Sequence, residues 1–173
     1  TVASDSRVTY SVQNPGETWY TNTQIAFNML ELARKNPVKM FIQVSTDEVY
    51  GDAGWDSAGH PEWDTILPSN PYSASKAAQE ALSIAYWRTY SVPVVITNTM
   101  NVIGEWQDPE KFLPLAIKRI TNGEPMTLFA EPDGKTTSRR VWLDAKNMAA
   151  ALVHICKNTS PAKYSEPQDK PSR

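Results

Sequence analysis

Val38-Lys39-Met40-Phe41-Ile42-Gln43-Val44 runs without a break into Ser45-Thr46-Asp47-Glu48. The first seven residues follow Asn36-Pro37, which stops any helix, and are mostly apolar, so they read as a buried strand. The four that follow put two hydroxyls and two adjacent carboxylates at the carboxyl end of that strand. Open α/β sheets hold their ligands at such ends. Further on, Asn70-Pro71-Tyr72-Ser73-Ala74-Ser75-Lys76 opens a helix. Pro71 suits the first helical position, and Asn70 or Ser69 suits the cap. Ala74, Ala77, Ala78, Ala81, Leu82, Ala85 and Tyr86 then recur at three- and four-residue spacing and predict a helix to about Tyr90. Tyr72 and Lys76 share one face of the first turn. The spacing predicts that the ammonium favours the phenolate and lowers a tyrosine pKa that starts near ~10, with the helix dipole pushing the same way.

Outward from this strand and helix, the chain alternates. Residues 1–16 read as a strand end and a loop that closes at Asn14-Pro15-Gly16. Glu17 to Asn36 reads as a helix, with Trp19, Ile25, Ala26, Met29, Leu30 and Ala33 inward. Residues 51–70, with Gly51, Gly54, Trp55, Gly59, Pro61, Trp63 and Pro68, form a long loop, and ordered loops of that length are usually functional. Pro93-Val94-Val95-Ile96-Thr97-Asn98 is a second strand buried on both faces. Residues 99–108 are a second site loop. A helix from Pro109 to Asn122 ends at Gly123. Met126 to Phe129 is a short strand, Asp133-Gly134-Lys135 a turn, and Arg139 to Leu143 extended. Asp144 caps a last helix to about Lys157. Residues 158–173 form a polar, Pro-rich tail with nothing to pack. Alternating strands and helices with apolar strands imply a mostly parallel, doubly wound sheet. Only two long strands are present, and no Gly-x-Gly-x-x-Gly turn occurs, so the sheet reads as incomplete.

Composition narrows the function classes. At 173 residues the chain is long enough for one domain with a core, and its net charge of −2 argues against a nucleic-acid or anionic-membrane partner. The single cysteine, Cys156, excludes an internal disulfide, fits a reducing, cytoplasmic setting, and reads as a buried small hydrophobe. No apolar run approaches the ~20 residues of a membrane span. Thr1 to Arg7 carries no signal-peptide pattern. His60 and His154 are the only histidines and suggest no metal site, with His154 at the core or rim. The six tryptophans and seven tyrosines either wall a site or fill the core.

Ser45-Thr46-Asp47-Glu48-Val49-Tyr50-Gly51 followed by Asn70-Pro71-Tyr72-Ser73-Ala74-Ser75-Lys76 resembles the extended short-chain dehydrogenase/reductases that modify nucleotide sugars, and among them the 4,6-dehydratases. Thr21-Asn22, Asn101, Gly104, Pro109-Glu110-Lys111 and Arg140 before Trp142 fall in the same order and spacing. Two departures stand out. Val102 replaces an asparagine the family usually has, and the stretch from Asp133 to Arg140 is longer than usual. The resemblance implies an incomplete Rossmann-like NAD-binding domain over residues 1–157, with part of the substrate-binding region at about 105–140, in an internal piece of a longer enzyme. The glycine-rich turn and first strands of the family are absent.

The resemblance also implies roles. Catalysis falls to Thr46, Asp47, Glu48, Tyr72 and Lys76. NAD falls to Ser45, Tyr72, Lys76, Thr99 and Val102. A nucleoside-diphosphate sugar falls to Thr46, Asn101, Lys111, Phe112 and Arg140, with no metal. Tyr72 would take a proton from the 4-hydroxyl, Lys76 would hold the phenolate and the nicotinamide ribose, Glu48 would take the C5 proton, and Asp47 would protonate the leaving 6-hydroxyl. Lys111 and Glu110 read equally well as ordinary first-turn charges. Arg139 reads as a solvated neighbour, and Asn22 as a brace for the site backbone. The products open to such a site are those of a dehydratase, an epimerase or a decarboxylase, or none if the fragment is an inactive scaffold. Family members imply a homodimer through the helices at 17–36 and 71–90.

Overall fold

The computed structural model describes residues 1–52, 59–128, 130, 133–137 and 140–173. Gly54, Trp55, Phe129 and Arg139, read above as loop, strand end and solvated neighbour, lie outside them. The described residues form two compact units, residues 1–99 with 156–173, and residues 100–155.

The first unit is built on one parallel strand pair and three helices. α1 spans Val8–Gln13, where the sequence reads as strand and loop. Nothing in the apolar spacing marks this helix; its Ser11 is buried against the rest of the unit and bonds outward. α2 spans Pro15–Lys35, with Pro15 at its start and Arg34 and Lys35 in its last turn, where cations suit the carbonyl end. Its buried stripe is Thr18, Asn22, Ala26, Leu30 and Ala33. Trp19 and Met29, expected inward, are 48% and 38% exposed, because the stripe climbs by fourth residues from Thr18 to Leu30 and leaves them to one side.

β1 spans Phe41–Thr46, and β2, Val94–Thr99, runs parallel beside it in register from Phe41 with Val94 to Thr46 with Thr99. α3, Pro71–Tyr90, is the crossover between them, as parallel neighbours require. Its start is fixed locally. Asn70 accepts from the Ser73 N–H at 2.9 Å, and the Ser73 hydroxyl accepts from the Asn70 N–H at 3.2 Å, a reciprocal capping box ahead of Pro71. Ser91 in the left-handed region ends it.

Leu30 and Ala33 of α2, Tyr86 and Trp87 of α3, and Phe41, Val94 and Ile96 of the strands make the core. Each large apolar side chain there contributes about 1.5–3 kcal/mol by leaving water. The core occupies the lower half of the strand pair only. Toward the carboxyl ends the same face turns polar, with Gln43, Ser45 and Asn98. The matching stripe of α3 is polar too: Ser73, Ser75, Lys76, Gln79, Glu80 and Ser83 are buried. The alanines of α3 are half-buried or exposed. The helix buries its polar stripe because every large group on it meets a partner on the strands, α2 or the C-terminal segment.

Residues 158–173, expected to have nothing to pack, lie on this unit. The Trp87 indole N–H donates to the Ala162 carbonyl at 2.8 Å, Tyr164 meets the Trp87 ring edge-on at 5.3 Å, and Ile96 N–H donates to the Ser172 carbonyl at 2.9 Å. Short polar sequence predicts disorder only when there is no edge to join, and β2 offers one.

In the second unit β3, Asn101–Ile103, pairs parallel with β4, Trp142–Asp144. β3 falls in a segment read as loop; three residues are too few for periodicity to declare a strand. α4 spans Phe112–Thr121, and α5, Ala145–Asn158, has all but its last three residues in this unit and is capped by Asp144 accepting from Lys146 N–H at 2.8 Å. Neither helix contains a buried residue. Cys156 and His154 are exposed rather than core, for the same reason. No helix among the described residues is long and apolar enough to cross a membrane.

Candidate active site

The carboxyl end of β1 passes directly into a single 3-10 turn, Asp47–Tyr50. Thr46 starts that turn by accepting from the Glu48 N–H at 3.3 Å, and its hydroxyl also meets Asp47 Oδ1 at 3.3 Å. Glu48 Oε2 accepts from the Asn70 side chain at 3.3 Å, which ties the acidic turn to the cap of α3. One residue beyond Pro71, the Tyr72 N–H donates to the buried Ser11 hydroxyl at 3.2 Å. Tyr72 hydrogen-bonds the Thr46 side chain, and the charges of Glu48 and Asp47 act on its phenol. Thr46, Asp47 and Glu48, consecutive at the end of β1, therefore meet Tyr72 of α3.

Gly51 closes the turn at φ +86°, and a Cβ there would sit 2.6 Å from the Leu67 carbonyl oxygen. Leu67 N–H in turn donates to the Val49 carbonyl at 2.9 Å. Gly51→Ala is expected to destabilise the chain by about 1–3 kcal/mol through backbone strain, read as a lower melting temperature.

The electrostatics overturn one expectation. Burial pushes the Tyr72 phenol well above its ordinary value, Glu48 and Asp47 push it further, and only the Thr46 hydrogen bond pulls it down. Lys76 is not among the groups acting on it. The lysine lies one turn along α3, but its ammonium turns toward the sheet, donating to the Val44 carbonyl at 2.7 Å and to Gln79 Oε1 at 2.8 Å. Helical spacing puts two residues on one face; it does not say where a four-carbon side chain ends. Lys76 is 3% exposed, and burial lowers it from 10.5 to about 8, with Glu80 opposing.

That shift has a consequence for stability. Between pH 8 and 10 the unfolded chain retains a proton on Lys76 that the folded chain has released. Stability therefore rises with pH across that window, by about 3 kcal/mol from this residue alone. Above pH 10 the raised tyrosines Tyr72 and Tyr86 reverse the trend, because the folded chain then holds more protons. Denaturant midpoints at pH 7, 8, 9 and 10 check the sign.

The remaining expected residues divide between the units. Ser45 is buried, and the Thr99 hydroxyl donates to its carbonyl at 3.2 Å across the strand pair. The Ser45 hydroxyl itself has no partner among the described residues. An orphaned buried hydroxyl at the carboxyl end of a parallel strand fits a bound cofactor's polar group. Asn101, Val102, Lys111, Phe112 and Arg140 belong to the second unit. The Asn101 amide donates to the Val141 carbonyl at 3.3 Å, and the Val102 carbonyl accepts from Gln107 at 2.9 Å. Lys111 is the residue before α4, Phe112 stacks on Trp142 at 6.3 Å, and Arg140 is exposed. Asn22 braces the first unit as expected, bonding the Asp5 backbone and the Ser75 hydroxyl. No cluster of metal-ligating side chains occurs among the described residues.

Sequence reasoning missed Gln43, Gln79, Glu80 and Asn98. The signals were present. Gln43 interrupts an apolar strand, and Gln79 and Glu80 stand three and four residues after Lys76, on its face.

A parallel pair with polar carboxyl ends, crossed by a helix that opens on Tyr72 and Lys76, is the open α/β arrangement of short-chain dehydrogenase/reductases. Over residues 1–165 the chain matches the NAD dependent epimerase/dehydratase family, and it belongs to that family. NAD, the cofactor expected from the sequence, is the one in the family's description. The chain is 37% identical over 163 residues to the dTDP-glucose 4,6-dehydratase of Neisseria meningitidis, covering 89% of this chain and 45% of that protein. Among solved structures it is similar to the dTDP-glucose 4,6-dehydratase of Streptomyces venezuelae with NAD bound, at TM-score 0.80 and 30% identity, covering 89% of this chain and 46% of that one. It is also similar to the UDP-glucose 4-epimerase of Thermus thermophilus in complex with NAD, at TM-score 0.79 and 28% identity, covering 92% and 52%. The chain spans about half the length of the curated relatives it matches.

Proposed function

We propose that this chain carries the sugar-oxidising and water-eliminating groups of an NAD-dependent nucleotide-sugar 4,6-dehydratase, a cytoplasmic lyase that converts a nucleoside-diphosphoglucose to its 4-keto-6-deoxy product. The observation that supports this best is the meeting of Tyr72 with Thr46, Asp47 and Glu48 at the carboxyl end of β1. An oxidation alone needs a base and a hydride acceptor; removing water as well needs a second base and an acid, and the adjacent carboxylates supply both.

Bound NAD supplies the hydride acceptor and a cationic ring. Ser45, Thr99 and Val102 line its side of the site in this reading. Thr46 orients the 4-hydroxyl, and Tyr72 accepts its proton. Since Tyr72 is a protonated phenol as it stands, its proton leaves only when positive charge arrives to offset Glu48 and Asp47. Lys76 spends two of its three N–H groups on Val44 and Gln79 and keeps one in number for a ribose hydroxyl. The 4-keto group acidifies C5–H, Glu48 takes that proton, and Asp47 gives one to the departing 6-hydroxyl; return of the hydride to C6 and of the proton on Glu48 to C5 would complete the 4-keto-6-deoxy sugar. Asn101, Lys111, Phe112 and Arg140 hold the nucleotide end, Arg140 through its planar fork on a phosphate. The 173-residue chain alone, without a glycine-rich turn to cradle a pyrophosphate, does not turn over. The full-length gene product pairs as a homodimer through α2 and α3.

A second reading is an epimerase on the same scaffold, favoured by the likeness to the Thermus 4-epimerase. Incubating the full-length gene product with dTDP-glucose and UDP-glucose separates the two by mass spectrometry. Loss of one water supports the dehydratase, and an isomer of unchanged mass supports the epimerase. Bound NAD with neither product removes both.

A further inference from the structure

Four atoms beneath the candidate site form a closed ring of hydrogen bonds. The Lys76 ammonium donates to the Val44 carbonyl at 2.7 Å and to Gln79 Oε1 at 2.8 Å. The Gln43 side-chain amide donates to the same two oxygens, at 3.2 Å and 2.9 Å. Two donors and two acceptors thus share every bond. Gln43 is fully buried and Gln79 nearly so. The far end of the Gln79 amide is fixed as well: its N–H donates to the Asn22 carbonyl at 2.6 Å. The orientation of that amide follows from its neighbours, because an ammonium offers only donors and a backbone carbonyl only accepts.

We propose that Gln79 and Gln43 are positioning residues for Lys76, which hold its ammonium against the Val44 carbonyl and set its charge by competing for the same two acceptors. Gln79 supplies the acceptor that favours the ammonium. Gln43 spends half of that acceptor, and half of the Val44 carbonyl, on an uncharged amide. The two residues therefore act on Lys76 with opposite signs. The other charged groups acting on the lysine are Glu80 on its own helix and the Thr1 amino group lying against β1. Glu80 is itself paired with Arg173 and Asn98, partners separate from the amide ring. The importance of Lys76 to catalysis rests on the proposed function; its control by the amide pair does not.

The test is an NMR titration of Lys76 in the 173-residue chain labelled with 15N- and 13C-lysine, from pH 6 to 11. Gln79→Met keeps the side-chain volume and removes the acceptor. Its midpoint is expected below that of the unaltered chain by about one pH unit, a tenfold loss of proton affinity. Gln43→Met removes the competing donor and is expected to move the midpoint upward. Gln79→Glu, which restores an acceptor and makes it anionic, is expected to move it upward further. General loosening, with water reaching the lysine, would raise the midpoint in both methionine variants. A midpoint in Gln79→Met equal to or above that of the unaltered chain overturns the proposal, as does an unmoved midpoint in Gln43→Met. If Gln79→Met fails to fold, the Gln43→Met and Gln79→Glu midpoints decide, and either one unmoved overturns it. Assay of the full-length product separates this inference from the assigned reaction. Midpoints that move as stated in a protein that makes no keto sugar leave the amide ring standing and remove the dehydratase.

Discussion

Tyr72→Phe in the full-length gene product is expected to lower dehydratase turnover by about 10²–10⁴-fold, the range for loss of one general base, with little change in melting temperature. The phenol hydroxyl contributes to stability only through its hydrogen bond with Thr46. A net bond of that kind is worth about 0.5–1.5 kcal/mol. The ring stays in place, because α3 is anchored at this turn by backbone groups: Asn70 with Ser73, and Tyr72 N–H with Ser11. Substrate binding, measured by calorimetry, is expected to hold within a few-fold, since the lost group acts on a proton that moves in the transition state. Glu48→Gln makes the complementary case. It keeps the acceptor to Asn70 and leaves C4 oxidation possible, so it is expected to trap the oxidised sugar before water departs. Turnover of Tyr72→Phe within a few-fold of the unaltered enzyme would show that some other group takes the 4-hydroxyl proton.

Arg173→Met is expected to destabilise the chain by about 3–5 kcal/mol, the usual cost of leaving a buried charge without its partner. Glu80 is fully buried on α3, and Arg173 is 3% exposed. The arginine pairs with Glu80 Oε2 and donates to the Tyr50 hydroxyl, while Asn98 holds Glu80 Oε1 at 2.7 Å. Its guanidinium also lies 4.1 Å from the centre of the Trp63 ring. One side chain thus spans the helix of Tyr72 and Lys76, the turn of Asp47 and Glu48, and the loop between them. Removing it leaves Glu80 buried without its ion-pair partner. Glu80→Gln combined with Arg173→Met is expected to be less destabilised than Arg173→Met alone, because the amide keeps the Asn98 contact and carries no charge. Urea denaturation of the three variants measures the difference. A loss below about 1 kcal/mol, typical of an exposed ion pair, would mean the arginine is solvated.

These two cases show how unevenly the site was legible. Thr46, Asp47, Glu48 and Tyr72 stand out because the chemistry they would perform demands unusual neighbours: carboxylates side by side, and a phenol opening a helix. The boundaries of α3 were readable for a local reason. Asn70, Pro71 and Ser91 act on the backbone within a few residues of themselves. Gln79, Glu80 and Arg173 were not readable. Their polarity made them look solvated, and the partners that bury them are far away in the chain. The expectation that Lys76 tunes Tyr72 failed on the same ground, since Val44 and Gln79 take the ammonium first.

The amino-acid order alone settled where the chain would be helical or extended around its two strands, where α3 begins and ends, and which polar residues stand at the strand's carboxyl end. Those features depend on caps, prolines and spacing, whose forces reach only a turn or two. Packing alone decided that α3 turns its polar stripe inward, that the C-terminal segment lies along β2, and that the phenol of Tyr72 keeps its proton. Each of these depends on the local dielectric and on contacts between residues tens of positions apart, which exist only once the chain has closed around them.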